Sequence, residues 1–233
     1  MESGFALFGP AHLSMLAAVP LMAAGLVWWS RGGEGRARQV RLCMGGILLA
    51  NEILCYVYRF QQGWIQFPYG LPLHLCDAAV WLTILSLFTL KPWAIDIAYY
   101  WTLAGTSMAV LTPDLHVPFP SIPAIQYFVS HGGAVTAVLT LIWSRQARPR
   151  PGSLWKVLGV TCAAAAGVGI FNWVFDTNYL YLCRKPLSSS LLDILGPWPV
   201  YLGGGFVVAC LLFLLLWLPF WLSGRSMSRS AAD

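Results

Sequence analysis

The sequence predicts an all-α polytopic membrane protein: a bundle of seven transmembrane helices forming one transmembrane domain over residues 1–233. Three observations carry that prediction. First, 58% of the residues are hydrophobic and only 10% are charged, whereas soluble chains carry about a quarter charged residues; mean hydropathy is +0.67. Second, apolar runs of the length needed to cross a bilayer, about 18 residues or more, fall near 11–30, 40–60, 72–90, 93–112, 122–144, 154–177 and 198–222. Third, the basic residues favour alternate connections between those runs. The runs occupy most of the chain and leave no room for a soluble domain.

The first run follows Met-Glu-Ser-Gly, which lacks a basic n-region, so it reads as a retained helix and not a cleaved signal peptide. Trp28 and Trp29 close it as interfacial anchors. Arg31, Arg36, Arg38 and Arg41 then precede the second run; Lys91 separates the third from the fourth. Arg145, Arg148, Arg150 and Lys156 surround the break between the fifth and sixth, and Arg225 and Arg229 lie in the tail. The other side holds only Arg59, Arg184 and Lys185, a division of eleven against three. By the positive-inside rule the N-terminus lies outside and the C-terminus in the cytoplasm. The pI near 9.0 follows from basic residues at membrane boundaries, so it does not point to a nucleic-acid partner.

The outer connections P-D-L-H-V-P-F-P-S-I-P and Y-L-C-R-K-P-L-S-S-S-L-L-D-I-L-G-P-W-P are proline-rich and read as rigid caps. The sixth run contains A-A-A-A-G-V-G and the seventh begins near Y-L-G-G-G. Small residues let helices approach closely in lipid, and the three glycines could also bend the last helix. None of the six cysteines forms a CxxC pair. Cys43, Cys162 and Cys210 read as small buried hydrophobes. Cys55, Cys76 and Cys183 lie toward the outside, where the sequence leaves a disulfide among them open.

The polar residues gather on that outer side. His12 opens the first run, Glu52 lies about 12 Å below the outer end of the second, and His131 about 12 Å into the fifth, at 1.5 Å per residue. Asn172 and Asp176 fall near the outer end of the sixth, while His116, Arg184, Lys185 and Asp193 belong to outer loops. Helical spacing puts Glu52, Tyr56 and Arg59 on one face, and likewise Asn172, Asp176 and Tyr179. His74 and Asp77, at i and i+3 in L-P-L-H-L-C-D, share a face that Cys76 does not. The thiol would therefore look to an imidazole on another helix, and His131 of S-H-G-G supplies one. Ionisable groups in mid-membrane cost about 2.5–3.5 kcal/mol on the insertion scale, so the set should face a cavity and find partners.

At L-P-L-H-L-C-D (71–77), F-V-S-H-G-G (128–133) and N-Y-L-Y-L-C-R-K-P…L-D-I-L-G-P-W-P-V-Y (178–201), the chain resembles the YwaF-like integral membrane proteins of bacteria, relatives of transmembrane protein 164. The resemblance implies a multi-helix fold in the bacterial cytoplasmic (inner) membrane. It also implies acyl transfer to lysophospholipids by a cysteine and a histidine, as associated with the eukaryotic branch. His131 matches the family histidine. The family's P-C-H cysteine position is Leu73 here, and Cys76 stands two residues after His74.

Three functional readings follow. In the first, the protein is a phospholipid or lysophospholipid acyltransferase, or a lipid-ester hydrolase, that needs no cofactor. His131 is then the general base, Cys76 the nucleophile, and His74 with Asp77 an orienting pair. Arg59, Arg184 and Lys185, with Glu52, Asn172 and Asp176, would hold the substrate at headgroup level. In the second, His74, Cys76, Asp77 and His131, with Asp176 or Cys183, bind a catalytic zinc, although there is no HExxH. In the third, the chain is a transporter, a sensor or a scaffold with a buried polar network. The orientation has a direct check. A cysteine introduced by Gly35→Cys should label only from the cytoplasmic face; labelling from outside would invert the topology.

Overall fold

The computed structural model describes residues 5–115, 117–186 and 191–230; His116 lies outside them. The described residues are helical, with no strand beyond one isolated bridge, Gln66 to Tyr69. Five helices are long and apolar enough to cross a membrane: α1 (Pro10–Ser30), α2 (Glu34–Gln61), α6 (Ile122–Trp143), α7 (Ser153–Phe175) and the Val200–Leu222 part of α8 (Val200–Ser230).

The third and fourth expected spans come out differently. Helix α3 (Leu75–Thr89) has 15 residues, about 22 Å at 1.5 Å per residue, against a hydrocarbon core of about 30 Å. It starts three residues after Pro72, because the chain from Leu71 to His74 is not helical and His74 is the extended N-cap. The fourth run is three helical segments in direct succession: α4 (Pro92–Tyr100), a π-helical stretch (Trp101–Thr106) and α5 (Ser107–Leu111). Among the described residues, five of the seven expected spans are thus helices of spanning length, and the third and fourth are a shorter helix and a broken one.

The chain divides into two compact units, Met1–Arg148 and Pro149–Asp233. In the first, α6 is the central helix: it packs against α1, α2, α3, the π-helical stretch and α5. Gly132 faces Val19 of α1 and Gly133 faces Leu48 of α2, and such small residues let neighbouring backbones come close in an apolar medium. Leu48 of α2, Val80, Ile84 and Leu87 of α3, and Ala134, Ala137 and Leu141 of α6 form one apolar cluster. Val110, Phe128 and Val135 form a second. Arg41 of α2 donates through Nη1 to the Leu87 carbonyl. It thus satisfies a late carbonyl of α3 that the helix itself leaves open, and places a cation at the helix's negative end.

Two histidine nitrogens tie the N-terminal end of this unit. The Phe8 N–H donates to His12 Nδ1 at 3.0 Å, so Nε2 carries the hydrogen and donates to the Val110 carbonyl at 2.9 Å. His12 is fully buried among Phe5, Phe8 and Phe128. It is a structural clasp between α1 and the end of α5.

In the second unit, α7 ends at Asp176, which adopts the left-handed conformation (φ 49°). Asp and Asn tolerate that region better than most side chains. Tyr179 therefore belongs to a following 3₁₀ turn (Tyr179–Tyr181) and does not continue the α7 face with Asn172 and Asp176, as the spacing suggested. Helix α8 runs unbroken through Gly203, Gly204 and Gly205. Gly204 is the closely packed one: a Cβ there would lie 3.2 Å from Leu195. In the small-residue stretch of α7, a Cβ at Gly167 would meet nothing within 4 Å.

Close packing at α6 predicts a contrast. A Cβ at Gly133 would stand 2.9 Å from Leu48 Cδ2. Alanine there only displaces the end of a flexible side chain, but Gly133→Val adds two methyls to a filled contact. It should destabilise the protein by about 1–3 kcal/mol. Gly203→Ala, with open space around it, should leave the melting temperature in detergent unchanged.

Candidate functional site

The loop from α2 to α3 delivers His74. Helix α2 closes with Gln62, Gly63 and Trp64 N–H groups donating to Tyr58, Phe60 and Arg59 carbonyls. The chain then turns back at Gly70 (φ 78°), where a Cβ would sit 2.5 Å from the Trp64 carbonyl oxygen; only glycine fits both the conformation and the approach. At the start of α3 the Asp77 carboxylate accepts a hydrogen bond from the His74 backbone N–H. An acidic residue at the third helical position reaching back to the N-cap N–H is half of a capping box. The expected common face of His74 and Asp77 is therefore replaced by a cap, with His74 outside the helix.

Glu52 of α2 is 6% exposed. Its Oε1 accepts hydrogen bonds from Ser130 Oγ of α6 and from Asn51 Nδ2, the latter at 3.5 Å. Asn51 also donates to the Gln126 carbonyl at 3.2 Å. Asp77 and Arg59 lie within electrostatic reach of Glu52, and Arg59 also acts on Asp77 and His74. Tyr56 supports Arg59: the guanidinium lies 5.8 Å from the ring centroid, and the Trp81 ring of α3 packs near the phenol, with centroids 6.4 Å apart. Glu52, Tyr56 and Arg59 thus share a face as their spacing predicts. That face meets α3 and α6.

His131 donates from Nδ1 to the Tyr127 carbonyl one turn earlier, at 3.0 Å. A carbonyl only accepts, so the hydrogen is on Nδ1 and Nε2 keeps its lone pair in the neutral ring. The ring stacks on Tyr127, with centroids 4.1 Å apart and planes at 18°. The Tyr127 hydroxyl is in turn fixed to the Ala109 carbonyl at 2.7 Å. His74 is the ionisable neighbour that acts on His131.

Cys76 faces elsewhere. Its thiol lies against Thr106 of the π-helical stretch, and no hydrogen bond joins it to His131 among the described residues. The structure brings His131 to His74, and Glu52 to Asp77 and Arg59, while Cys76 looks toward a different helix. No three His, Cys, Asp or Glu side chains among the described residues gather as metal ligands, so the zinc set drawn from the sequence does not converge. All six cysteines are free thiols. Cys43 and Cys162, expected in the interior, are exposed on their helices, and Cys210 is half-buried.

In the second unit Asn172 is buried, with both ends of its amide engaged. Oδ1 accepts from Thr177 Oγ1 at 2.8 Å and the Tyr179 N–H at 2.9 Å, and Nδ2 donates to the Tyr179 carbonyl at 2.9 Å. It organises the turn after α7 and has little left to offer a substrate. Asp176 is exposed at the helix end and Arg184 is exposed in the loop. Lys185 pairs with Asp193 at 3.6 Å and lies 5.7 Å from the Tyr201 ring centroid.

The sequence model of the TMEM164 family matches residues 7–217. The chain belongs to the TMEM164 family. It is also similar to an uncharacterized protein of Treponema pallidum (strain Nichols), 28% identical over 221 residues that cover 93% of this chain and 90% of the relative. No solved structure matches it. With its apolar helices, TMEM164-family membership makes the chain a multi-pass membrane protein.

Every site residue discussed above falls inside the TMEM164 match. Sequence reasoning missed three contributors: Ser130, Asn51 and Thr106. Ser130 and Asn51 are each adjacent to a residue that was singled out, and a hydroxyl or amide at that depth is itself a signal, since it needs an internal partner. Thr106 gave no such signal, because threonines in helices usually bond back to their own chain. The Ser130–Glu52 contact has a measurable worth. Ser130→Ala leaves a buried carboxylate short of a donor and should destabilise by about 1–3 kcal/mol. In a double-mutant cycle with Glu52→Gln, the two changes should couple; strict additivity would remove the contact from the network.

Proposed function

We propose that this protein is a membrane-embedded enzyme acting on lipid esters, a phospholipid or lysophospholipid acyltransferase or hydrolase, with His131 as its general base. The observation that carries this reading is the state of His131: Nδ1 is committed to the Tyr127 carbonyl, so the basic nitrogen is Nε2. His74, Asp77, Glu52 and Arg59 surround that region with charge in an otherwise apolar assembly. Such groups are expensive in a membrane and tend to mark function.

In this reading Nε2 takes the proton of an attacking hydroxyl as its oxygen bonds to the ester carbonyl carbon. The imidazolium then returns the proton to the departing alcohol. If the hydroxyl is water, the product is a fatty acid. If it belongs to a lysophospholipid, the acyl group is transferred. Arg59, at the C-terminal end of α2, is the cation for a lipid phosphate. The orientation of Cys76 toward Thr106 favours direct use of an oxygen nucleophile over a Cys76–His131 pair. With α3 and residues 92–111 counted as short or irregular crossings, the chain makes seven passes. The N-terminus is then outside, and the site lies in the outer half of a bacterial inner membrane.

His131→Ala should lower turnover of phospholipid or lysophospholipid esters by about 10²–10⁴-fold, the usual worth of a positioned base. The protein should keep its melting behaviour. Mass spectrometry of the products from purified protein distinguishes released fatty acid from newly acylated phospholipid. Undiminished turnover in His131→Ala would remove the base role.

A further inference from the structure

Two turns of the first unit share an uncommon backbone. Helix α3 is capped by Leu90 (φ 52°), and Arg145 (φ 59°) follows the end of α6; both are left-handed and neither is a glycine. A side chain in that region carries strain that the surrounding structure must hold. The hold is visible here. The Leu90 N–H donates to the Ser86 carbonyl at 2.9 Å, and the Gln146 and Ala147 N–H groups donate to the Leu141 carbonyl at 3.0 and 3.2 Å. Leu90 and Ala147 then pack, with Met44 of α2, on the one apolar cluster that contains Leu87 and Leu141.

These turns gather cations. Lys91 follows Leu90, and Ala147 lies between Arg145 and Arg148. Arg41, three residues before Met44, is bonded to the Leu87 carbonyl, and Arg38 lies one turn before it on the same face of α2. Arg38, Lys91, Arg145 and Arg148 are exposed, and none of the four forms an ion pair among the described residues. Glu34, one turn before Arg38, makes no ion pair with it, and Asp96 is buried in α4. Like charges brought together repel, and an anion between them reverses the sign. Arg36 is spent differently: its guanidinium lies 5.1 Å from the centroid of the Trp29 ring of α1.

Depth decides which anion. Trp93 is 46% exposed and Trp143 is 48% exposed, and each stands two residues from one of the cations, Lys91 or Arg145. Exposed tryptophans at the ends of apolar helices sit at the membrane–water interface, which puts these cations at headgroup level. The anion met there is a lipid phosphodiester, to which Arg and Lys donate charge-assisted bonds.

We propose that Arg38, Lys91, Arg145 and Arg148 form a binding site for the phosphate of an anionic phospholipid. Arg145 is about 21 Å along the chain axis of α6 from His131 at 1.5 Å per residue, so this lipid is distinct from any substrate of that histidine. One headgroup held by the four cations ties the ends of α2, α3 and α6 together, and a ligand that binds only the folded protein stabilises it.

The test adds phosphatidylglycerol to the full-length protein in a nonionic detergent. Native mass spectrometry counts the lipid retained, and the melting temperature is followed in parallel. Phosphatidylglycerol should be retained and should raise the melting temperature; phosphatidylcholine and inorganic phosphate at the same concentration should do neither. Lys91→Gln and Arg148→Gln should each weaken phosphatidylglycerol binding about fivefold, the worth of one cation beside an anionic headgroup. Lys91→Arg, which keeps the charge, should bind as the unaltered protein does, and so should Arg36→Gln. Equal weakening by Arg36→Gln would make the attraction a diffuse surface effect and overturn the site. Stabilisation by inorganic phosphate alone, or undiminished binding in Lys91→Gln and Arg148→Gln, would overturn it as well. Lipid turnover plays no part in the measurement, so its result stands whether or not His131 proves to be a base.

Discussion

A carboxylate enclosed by apolar helices has no water to fall back on, and the first unit is arranged around that constraint. Each polar group at membrane depth must find its partner within the protein. Glu52 finds Ser130 on α6 and Asn51 on its own helix, so the two helices cannot slide or rotate freely past each other. Asn51 adds a tie to the Gln126 carbonyl, near the start of α6. The apolar cluster of Leu48, Ala134 and their neighbours sits beside these polar ties. Dispersion contacts tolerate small shifts; directional bonds to a buried carboxylate do not. Register between α2 and α6 therefore comes from the polar contacts, and close approach comes from the small residues of α6.

Much of this was legible in the sequence. Run length found all five helices of spanning length, and a period of 3.6 residues put Glu52, Tyr56 and Arg59 together. What run length could not show is where an apolar stretch stops being helical or stops being α-helical. Residues 71–74 are apolar enough to join α3, yet Pro72 and the cap at His74 hold them outside it. Trp101–Thr106 is as apolar as an α-helix would be, and only its hydrogen-bond ring size differs. Spacing failed for the same reason at both ends of its range. His74 with Asp77, and Asn172 with Tyr179, have helical separations, but each pair straddles a helix end.

The choice between Cys76 and His74 as neighbours of His131 was also beyond spacing. Depth along the helices is nearly equal for both, and depth is all that a one-dimensional reading supplies. Rotation about the α3 axis decides the matter. That rotation follows from the helix beginning at Leu75 and from its packing on the π-helical stretch, which turns the thiol toward Thr106 and leaves the N-cap histidine on the side of α6.

Tyr127 is gripped at two points. Its phenol is held by the backbone of α5 at Ala109, while its carbonyl and ring hold the imidazole of His131. The imidazole is thus referenced to two helices at once, through a single side chain acting as a strut. Any displacement of Ser107–Leu111 along its axis would be carried to the imidazole by that strut. The short helix after the π turn is therefore mechanically coupled to a histidine that it does not itself carry.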